Sequence, residues 1–470
     1  MKFHGRKKEI QIIEKMLKAE GLQTCVIYGR RRIGKSELIK HVIRNQETAS
    51  IYYECKETTE MNNTDSLSVI IGETFGFPKP SFSSLEKLLD FLFEESVKNP
   101  IIVVLDEYPY LRNAVKGLDS ILQSLIDAYR DKAQLKFILC GSYIDAMKSL
   151  LDSENPLYGR IDRIIRLNAM DYKEAAEFYP GFSDEDKIRL YSVFGGIPYY
   201  NRLIDSSLSV RENIIELIAS PGARLENEVS MYLKSEIKKI TNANEVIEAL
   251  AKGFSKFSDI LSQSHVSSGP TLADVLEKLV KMEIVRKEAP INDENNKRKV
   301  RYSISDPLSN FYYRYCFRYA TQMNLLDSNV FYDRFIRDDF ENEYVPHEFE
   351  TICRQYLINQ NKAGLIEEPF ERIGKYWYDD PKTRTNGEFD LVTLDRKGYI
   401  FYEAKFRKEP VTEKMIETEI AQVQKTGLNC YRYGFISRSG FAEVNREDLI
   451  LIGLRDFYDD IMETTQSYGG

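Results

Sequence analysis

Gly29 to Ser36 read GRRRIGKS and satisfy GxxxxGK[ST] in full. In such a loop the glycines let backbone N–H groups approach phosphate oxygens, Lys35 neutralises phosphate charge, and Ser36 ligates Mg²⁺. The pattern follows the apolar run TCVIY and precedes SELIKHVI, the strand, loop and helix order that this chemistry requires. A second apolar run, IIVVLDEYPYL, ends in Asp106 and Glu107. Asp106 is placed to hold the Mg²⁺ shell and Glu107 to orient and deprotonate an attacking water, which separates a hydrolase from a nucleotide binder. A third, LKFILCGSY, ends in Ser142, where a polar side chain senses the γ-phosphate. Arg160 and Arg163, in PLYGRIDRIIRL, stand either where an arginine reaches a neighbouring subunit's phosphate or in ordinary salt bridges.

A different chemistry is written into GEFDLVTLDRKGYIFYEAKF, residues 387–406. Here FDLVTL and YIFYEAKF read as two strands joined by a DRKG turn. Glu403 and Lys405 are two residues apart and leave the same strand face. Asp390 opposes them across the hairpin, giving two carboxylates that suit Mg²⁺ and a lysine that orients water or offsets charge on a phosphodiester. The apolar framing makes unpaired charge there expensive, so the residues need a reason to be present. A buried structural ion pair is the competing reason. Gln422 and Trp377 are weaker candidates for the same site, Trp377 reading equally as core or substrate rim.

These residues need elements to position them. From LQTCVIYG onward to about residue 170, near-continuous apolar runs alternate with helical segments, as in a parallel sheet covered on both faces. Residues 171–240 read as a helical lid packed on that sheet, broken by FGGIPYY. Three helical stretches, the last opening after Gly269 and Pro270, then precede two extended runs around a polar turn, the order of a winged helix with NKRKVR on the wing. The fold class is α/β multidomain: a P-loop ATPase core at 1–170, the lid at 171–240, winged helix and connector at 241–325, and an α/β nuclease-like domain at 326–470.

Composition bounds what these domains do. Hydrophobic residues at 43% and charged residues at 29% are those of a globular protein. The six cysteines are scattered singly, against both a zinc site and a disulfide framework. A net charge of -8 does not advertise nucleic-acid binding, so any such surface must be local. The charged N-terminal segment and the lack of a long apolar run read as cytoplasmic, with no membrane partner.

Taken in order, FHGRKKEIQII, GRRRIGKS, VVLDEYPYL, LCGS, NPLYGR and GGIPYY resemble the archaeal-type ATPase family within the STAND class of signalling NTPases. That resemblance covers about residues 1–310. It implies ATP and Mg²⁺ as cofactors, Gly5 and Arg6 flanking the base, Pro198 closing over it, and a homo-oligomer on ATP binding as an open possibility. The EFD and EAK pair resembles the PD-(D/E)XK nuclease core, in which Glu350 of VPHEFETICRQYL matches a further glutamate from the first helix. The layout is similar to the C-terminal extension common on archaeal-type ATPases. Two functions follow as expectations. One is an ATP-hydrolysing switch coupled to a nucleic-acid-binding, Mg²⁺-dependent DNA-cleaving domain, with DNA favoured over RNA. The other is an ATPase scaffold whose nuclease-like domain binds nucleic acid or a protein without cutting.

Overall fold

The computed structural model describes residues 3–236, 242–380, 385–444 and 446–459. They form two compact units, one of residues 1–170 with 197–199, the other of residues 171–196 with 200–470. The expected boundary between lid and winged helix, at 240/241, lies outside the described residues.

The first unit is built on five parallel strands, β1 (Gln23–Gly29), β2 (Ala49–Glu54), β3 (Ile101–Asp106), β4 (Leu135–Gly141) and β5 (Arg163–Leu167), in the order β2-β3-β4-β1-β5. Every residue of β3 and β4 is buried, whereas the edge strands β2 and β5 keep solvent-facing positions. This is why the central strands read as unbroken apolar runs and β5 as RIIRL. Helix Glu60–Phe75 starts at Thr59 and helix Leu85–Lys98 at Ser84, each hydroxyl accepting a backbone N–H of its first turn. The topology fixes the site: because β4 lies between β1 and β3, the residue after β4 falls between the two phosphate motifs.

The second unit opens with helices Tyr172–Ala176, Asp184–Phe194 and Val210–Leu217. Their sequence pattern reads as a lid; within this unit they meet the C-terminal half. Tyr172 donates its hydroxyl to Phe457 O at 3.1 Å, Gln355 donates to the Tyr191 hydroxyl at 3.0 Å, and Arg189 grips Glu341 at 3.0 Å. Periodicity exposes an apolar face but does not say which partner covers it.

Helices Ala243–Ala251, Phe257–Gln263 and Gly269–Lys281 precede an antiparallel ribbon of β6 (Val285–Glu288) and β7 (Arg301–Ile304). The third helix begins at Gly269, before Pro270, because Ser268 caps it and proline is tolerated in a first turn. Helix Val345–Lys362 then leads into a mixed sheet, β8 (Arg372–Asp380), β9 (Thr385–Leu394), β10 (Tyr399–Lys405), β12 (Cys430–Ser437) and β14 (Leu449–Gly453). Their order is β14-β12-β10-β9-β8, antiparallel from β8 to β10 and parallel beyond. Short strands β11 (Val411–Thr412) and β13 (Phe441–Ala442) pair at its side, and helix Glu413–Gln424 connects β11 to β12. Among the described residues no helix is long and apolar enough to cross a membrane.

Candidate functional sites

In the first unit the loop after β1 enters helix Lys35–Ile43 through Gly34 at φ 92°, a conformation that glycine adopts without a Cβ penalty. Gly29 is needed for a different reason: a Cβ there would lie 2.3 Å from the carbonyl oxygen of Leu167 on β5. Lys35 is buried, and its ammonium donates to Gly29 O at 2.9 Å, Arg30 O at 3.2 Å and Ser142 Oγ at 2.9 Å. Ser142 Oγ in turn donates to Glu107 Oε1 at 2.5 Å, and its backbone N–H donates to Glu107 Oε2 at 3.2 Å. One hydroxyl therefore joins the phosphate-loop lysine to the expected catalytic glutamate. Glu107 sits at φ 51°, left-handed backbone that a non-glycine residue adopts at a cost, at the point where β3 turns into helix Tyr108–Ala114.

Asp106 is the other half of the site. Ser36 Oγ donates to its Oδ2 at 2.6 Å, Tyr52 donates to the same oxygen, and the Glu107 N–H donates to Oδ1 at 2.9 Å. Burial pushes the Asp106 pKa upward, but these donors, with Cys140, outweigh it and hold the carboxylate below its ordinary range. Its hard oxygens, beside the Ser36 hydroxyl, are the donor chemistry a small divalent cation takes, so these two residues fit Mg²⁺. Tyr52 is not among the residues that the motifs single out; its signal is a tyrosine near the C-terminal end of the strand paired with β3.

The residues expected around a base also gather here. Gly5 and Arg6 are consecutive left-handed residues, and buried Arg6 donates to Ile33 O of the phosphate loop at 3.2 Å. Pro198 Cγ lies 3.7 Å from where a Gly34 Cβ would stand, and the Arg32 guanidinium rests 4.4 Å from the Tyr199 ring centroid. Arg160 is engaged locally, holding Asp127 by two bonds of 2.8 Å and donating to Pro156 O and Tyr158 O at 3.2 Å. Arg163 donates to Asp162 O at 2.9 Å.

In the second unit the β9–β10 register, ending at Leu391 against Tyr402, runs toward Asp390 and Glu403 as neighbours. The turn is pinned by Asp395, whose Oδ1 accepts the N–H groups of Lys397 and Gly398 at 2.8 and 3.1 Å. Lys405 pairs with Glu403 at 2.5 Å and with Glu419 of helix Glu413–Gln424 at 3.3 Å. Gln422 is on that helix, but Glu419 is the residue that reaches Lys405. Lys375 of β8 pairs with Asp390 at 2.5 Å, Glu350 at 3.3 Å and Glu388 at 3.7 Å, while His347 approaches Glu350 at 3.3 Å.

Burial raises the Glu403 carboxyl to about 7, with Glu419 and Asp390 adding to the rise and Lys405 opposing it. For Lys375 burial works against the charge, and Glu350, Asp390 and Glu388 together overcome it and raise its pKa. Trp377 is buried, with Arg301 over its ring at 4.5 Å. A cavity of about 380 Å³, lined among others by Arg286, Arg301, His347, Lys375 and Trp377, opens beside the cluster. Neither Lys375 nor Glu419 stands out in the sequence motifs, although a lysine inside the apolar strand GKYWY carries the same signal as Glu403 and Lys405.

Among the described residues of either unit no three His, Cys, Asp or Glu side chains converge to hold a metal ion, so what sets this cluster apart is the charge of its partners. Asp390 and Glu403, the two expected metal ligands, are each taken by a lysine instead.

Comparison with known proteins agrees with the first unit's geometry. Residues 3–203 match the family described as an ATPase domain predominantly from Archaea. The chain carries an archaeal-type ATPase domain. Beyond this ATPase domain, residues 312–419 match the family described as Archaea bacterial proteins of unknown function. An uncharacterized protein of Methanocaldococcus jannaschii is 26% identical over 462 residues, covering 97% of this chain and all of that protein. An uncharacterized ATP-binding protein of the same organism is 24% identical over 294 residues, 51% of this chain and 76% of its own length. Among solved structures, the Walker-type ATPase of Pyrococcus abyssi aligns over 66% of this chain and 96% of its own, with 21% identity and a TM-score of 0.49.

Proposed function

We propose that the protein is an ATP-binding and ATP-hydrolysing switch whose C-terminal domain has a PD-(D/E)XK-like fold and engages nucleic acid, DNA in preference to RNA. The observation that carries the ATPase reading is the continuous chain Lys35–Ser142–Glu107 beside the Ser36–Asp106 pair. ATP would lie on the loop Gly29–Ser36, with Lys35 exchanging its carbonyl partners for phosphate oxygens. Glu107, oriented by the hydroxyl and N–H of Ser142, would take a proton from the attacking water. Ser36 and Asp106 would hold Mg²⁺, which when bound supplies positive charge against the phosphates. Gly5, Arg6 and Pro198 close the base side. The relative from Methanocaldococcus jannaschii that is described as ATP-binding supports the same reading.

The C-terminal reading rests on the succession of a helix, three antiparallel strands, a helix and a parallel strand, with Asp390, Glu403 and Lys405 on adjacent strands and Glu350 on the first helix. Three helices followed by a ribbon at residues 243–304 support a winged helix. Its third helix pairs Lys278 with Asp274 and Lys281 with Glu277, so that face is charge-balanced rather than basic. The scaffold reading, in which the C-terminal domain binds without cutting, is favoured by the lysines paired with Asp390 and Glu403. Metal-dependent cleavage is the second reading, favoured by Glu403 and Lys405 sharing one strand face.

Steady-state ATP hydrolysis with Mg²⁺, comparing the native protein with Glu107→Gln and Lys35→Ala, tests the core. Glu107→Gln should retain nucleotide and lose turnover, and Lys35→Ala should lose both. Native-level turnover in Glu107→Gln would remove the catalytic assignment. DNA retention in a gel-shift assay, with and without ATP, tests the second half.

A further inference from the structure

The fold reading of the C-terminal domain implies a divalent cation at Asp390 and Glu403, and the side chains there are arranged for something else. We propose that Lys375 is the resident cation of this cluster, its ammonium taking the place of a divalent metal, so that the native domain binds its partner without a metal at Asp390. The inference rests on the PD-(D/E)XK-like reading of the domain and selects its non-cleaving form.

Three observations carry it. The pairing of β8 with β9 slips at this point: Gly374 faces Val392 and Tyr376 faces Phe389, so one residue, Lys375, opposes two, Asp390 and Leu391. A bulge of this kind re-aims side chains and is a built feature of a sheet. Here it sets the Lys375 ammonium 2.5 Å from Asp390 Oδ1. Next, the same ammonium lies 3.3 Å from Glu350 and 3.7 Å from Glu388, so one cation serves carboxylates from a helix and a strand, as a metal would. Finally, every other carboxylate of the cluster is also matched. Glu403 and Glu419 share Lys405, Glu388 also meets Arg301, and Glu350 meets His347.

Mg²⁺ demands near-octahedral oxygen coordination at close range and gives up its water reluctantly. A carboxylate oxygen already bonded to an ammonium does not offer that, and ammonium and metal repel across a few Å of poorly screening protein. Removing the ammonium while keeping the carboxylates should therefore unmask a cation site. Reversing the balance needs no new ligand, only the loss of the lysine.

The test counts Mn²⁺ bound to nucleotide-free protein by electron paramagnetic resonance, in the native chain, Lys375→Met, Lys375→Arg, Asp390→Asn and the double variant Lys375→Met with Asp390→Asn. Native protein and Lys375→Arg should show no Mn²⁺ that depends on Asp390. Lys375→Met should gain one site, tighter by about a hundredfold or more given a unit charge removed within a few Å, and the double variant should lose it. A native Mn²⁺ site abolished by Asp390→Asn would overturn the proposal, and so would a folded Lys375→Met that gains nothing. Should Lys375→Met fail to fold, the native and Asp390→Asn pair still decides. DNA retention by the native protein is measured in parallel. Loss of that reading would appear there and leave the Mn²⁺ count unaffected.

Discussion

Replacing Ser142 with alanine should slow ATP hydrolysis while leaving ATP affinity nearly intact, and the size of the effect follows from the bonds removed. The Ser142 hydroxyl accepts from Lys35 at 2.9 Å and donates to Glu107 at 2.5 Å, in a position only 6% exposed. Lys35 keeps Gly29 O and Arg30 O as partners, and phosphate would replace all three, so its loss is small. Among the described residues Glu107 keeps the longer bond from the Ser142 N–H at 3.2 Å. A hydrogen bond to a charged group is worth about 1.5–3 kcal/mol. If that bond orients the base in the transition state, kcat should fall about 10- to 150-fold, with KM for ATP changing by less than about threefold. Steady-state hydrolysis across ATP concentrations reads kcat and KM, and a fluorescent ATP analogue reads binding separately. Turnover equal to or faster than native would refute the reasoning, because it would mean that Ser142 restrains Glu107 instead of aiming it. A rise in KM at constant kcat would place the hydroxyl on the nucleotide and not on the base.

Three further outcomes follow from the first unit. Gly29→Ala would drive a Cβ to 2.3 Å from the Leu167 carbonyl oxygen, which is backbone and cannot swing aside. It should destabilise the fold by about 1–3 kcal/mol or more, read as a drop in the denaturant midpoint. Gly34→Ala meets only Pro198 Cγ at 3.7 Å but must adopt φ 92°, so its smaller cost of about 1–2 kcal/mol is backbone strain, measured the same way. Asp162 is held below its ordinary range: burial opposes this, and the Thr24 hydroxyl, the Thr24 N–H and Arg130 outweigh it. A depressed carboxyl contributes stability that is present above its unfolded value of 3.8 and lost as pH falls through the folded value. Asp162→Asn should therefore flatten the acid limb of stability below about pH 4 in urea titrations, and an unchanged acid limb would show that Asp162 carries none of it.

The first sheet was legible because its signals are local. Unbroken apolar runs marked β1, β3 and β4, and the strand–loop–helix setting located Lys35 and Ser36. Sheet order was not local, yet it is the order, with β4 between β1 and β3, that brings Ser142 onto both Lys35 and Glu107. The helices of residues 172–217 were legible as helices but not in their allegiance, which depends on tyrosines such as Tyr172 meeting Phe457, 285 residues away. In the C-terminal sheet, Glu403 and Lys405 were readable from a period of two. Lys375 carried the same signal within GKYWY, but its partner was not readable, because the slip that faces it to Asp390 depends on how two strands pair. Glu419 was missed in favour of Gln422 for a related reason: three residues of helix decide which side chain reaches Lys405.

The three residues Ile197–Tyr199 belong to the first unit while both flanks belong to the second. The chain therefore passes between units three times, after residues 170, 196 and 199. A gene fragment ending at Met170 would encode the whole parallel sheet and the phosphate loop but leave Gly34 without Pro198 and Arg32 without the Tyr199 ring. A fragment that keeps both contacts must run through at least Tyr199, as the matched segment 3–203 does.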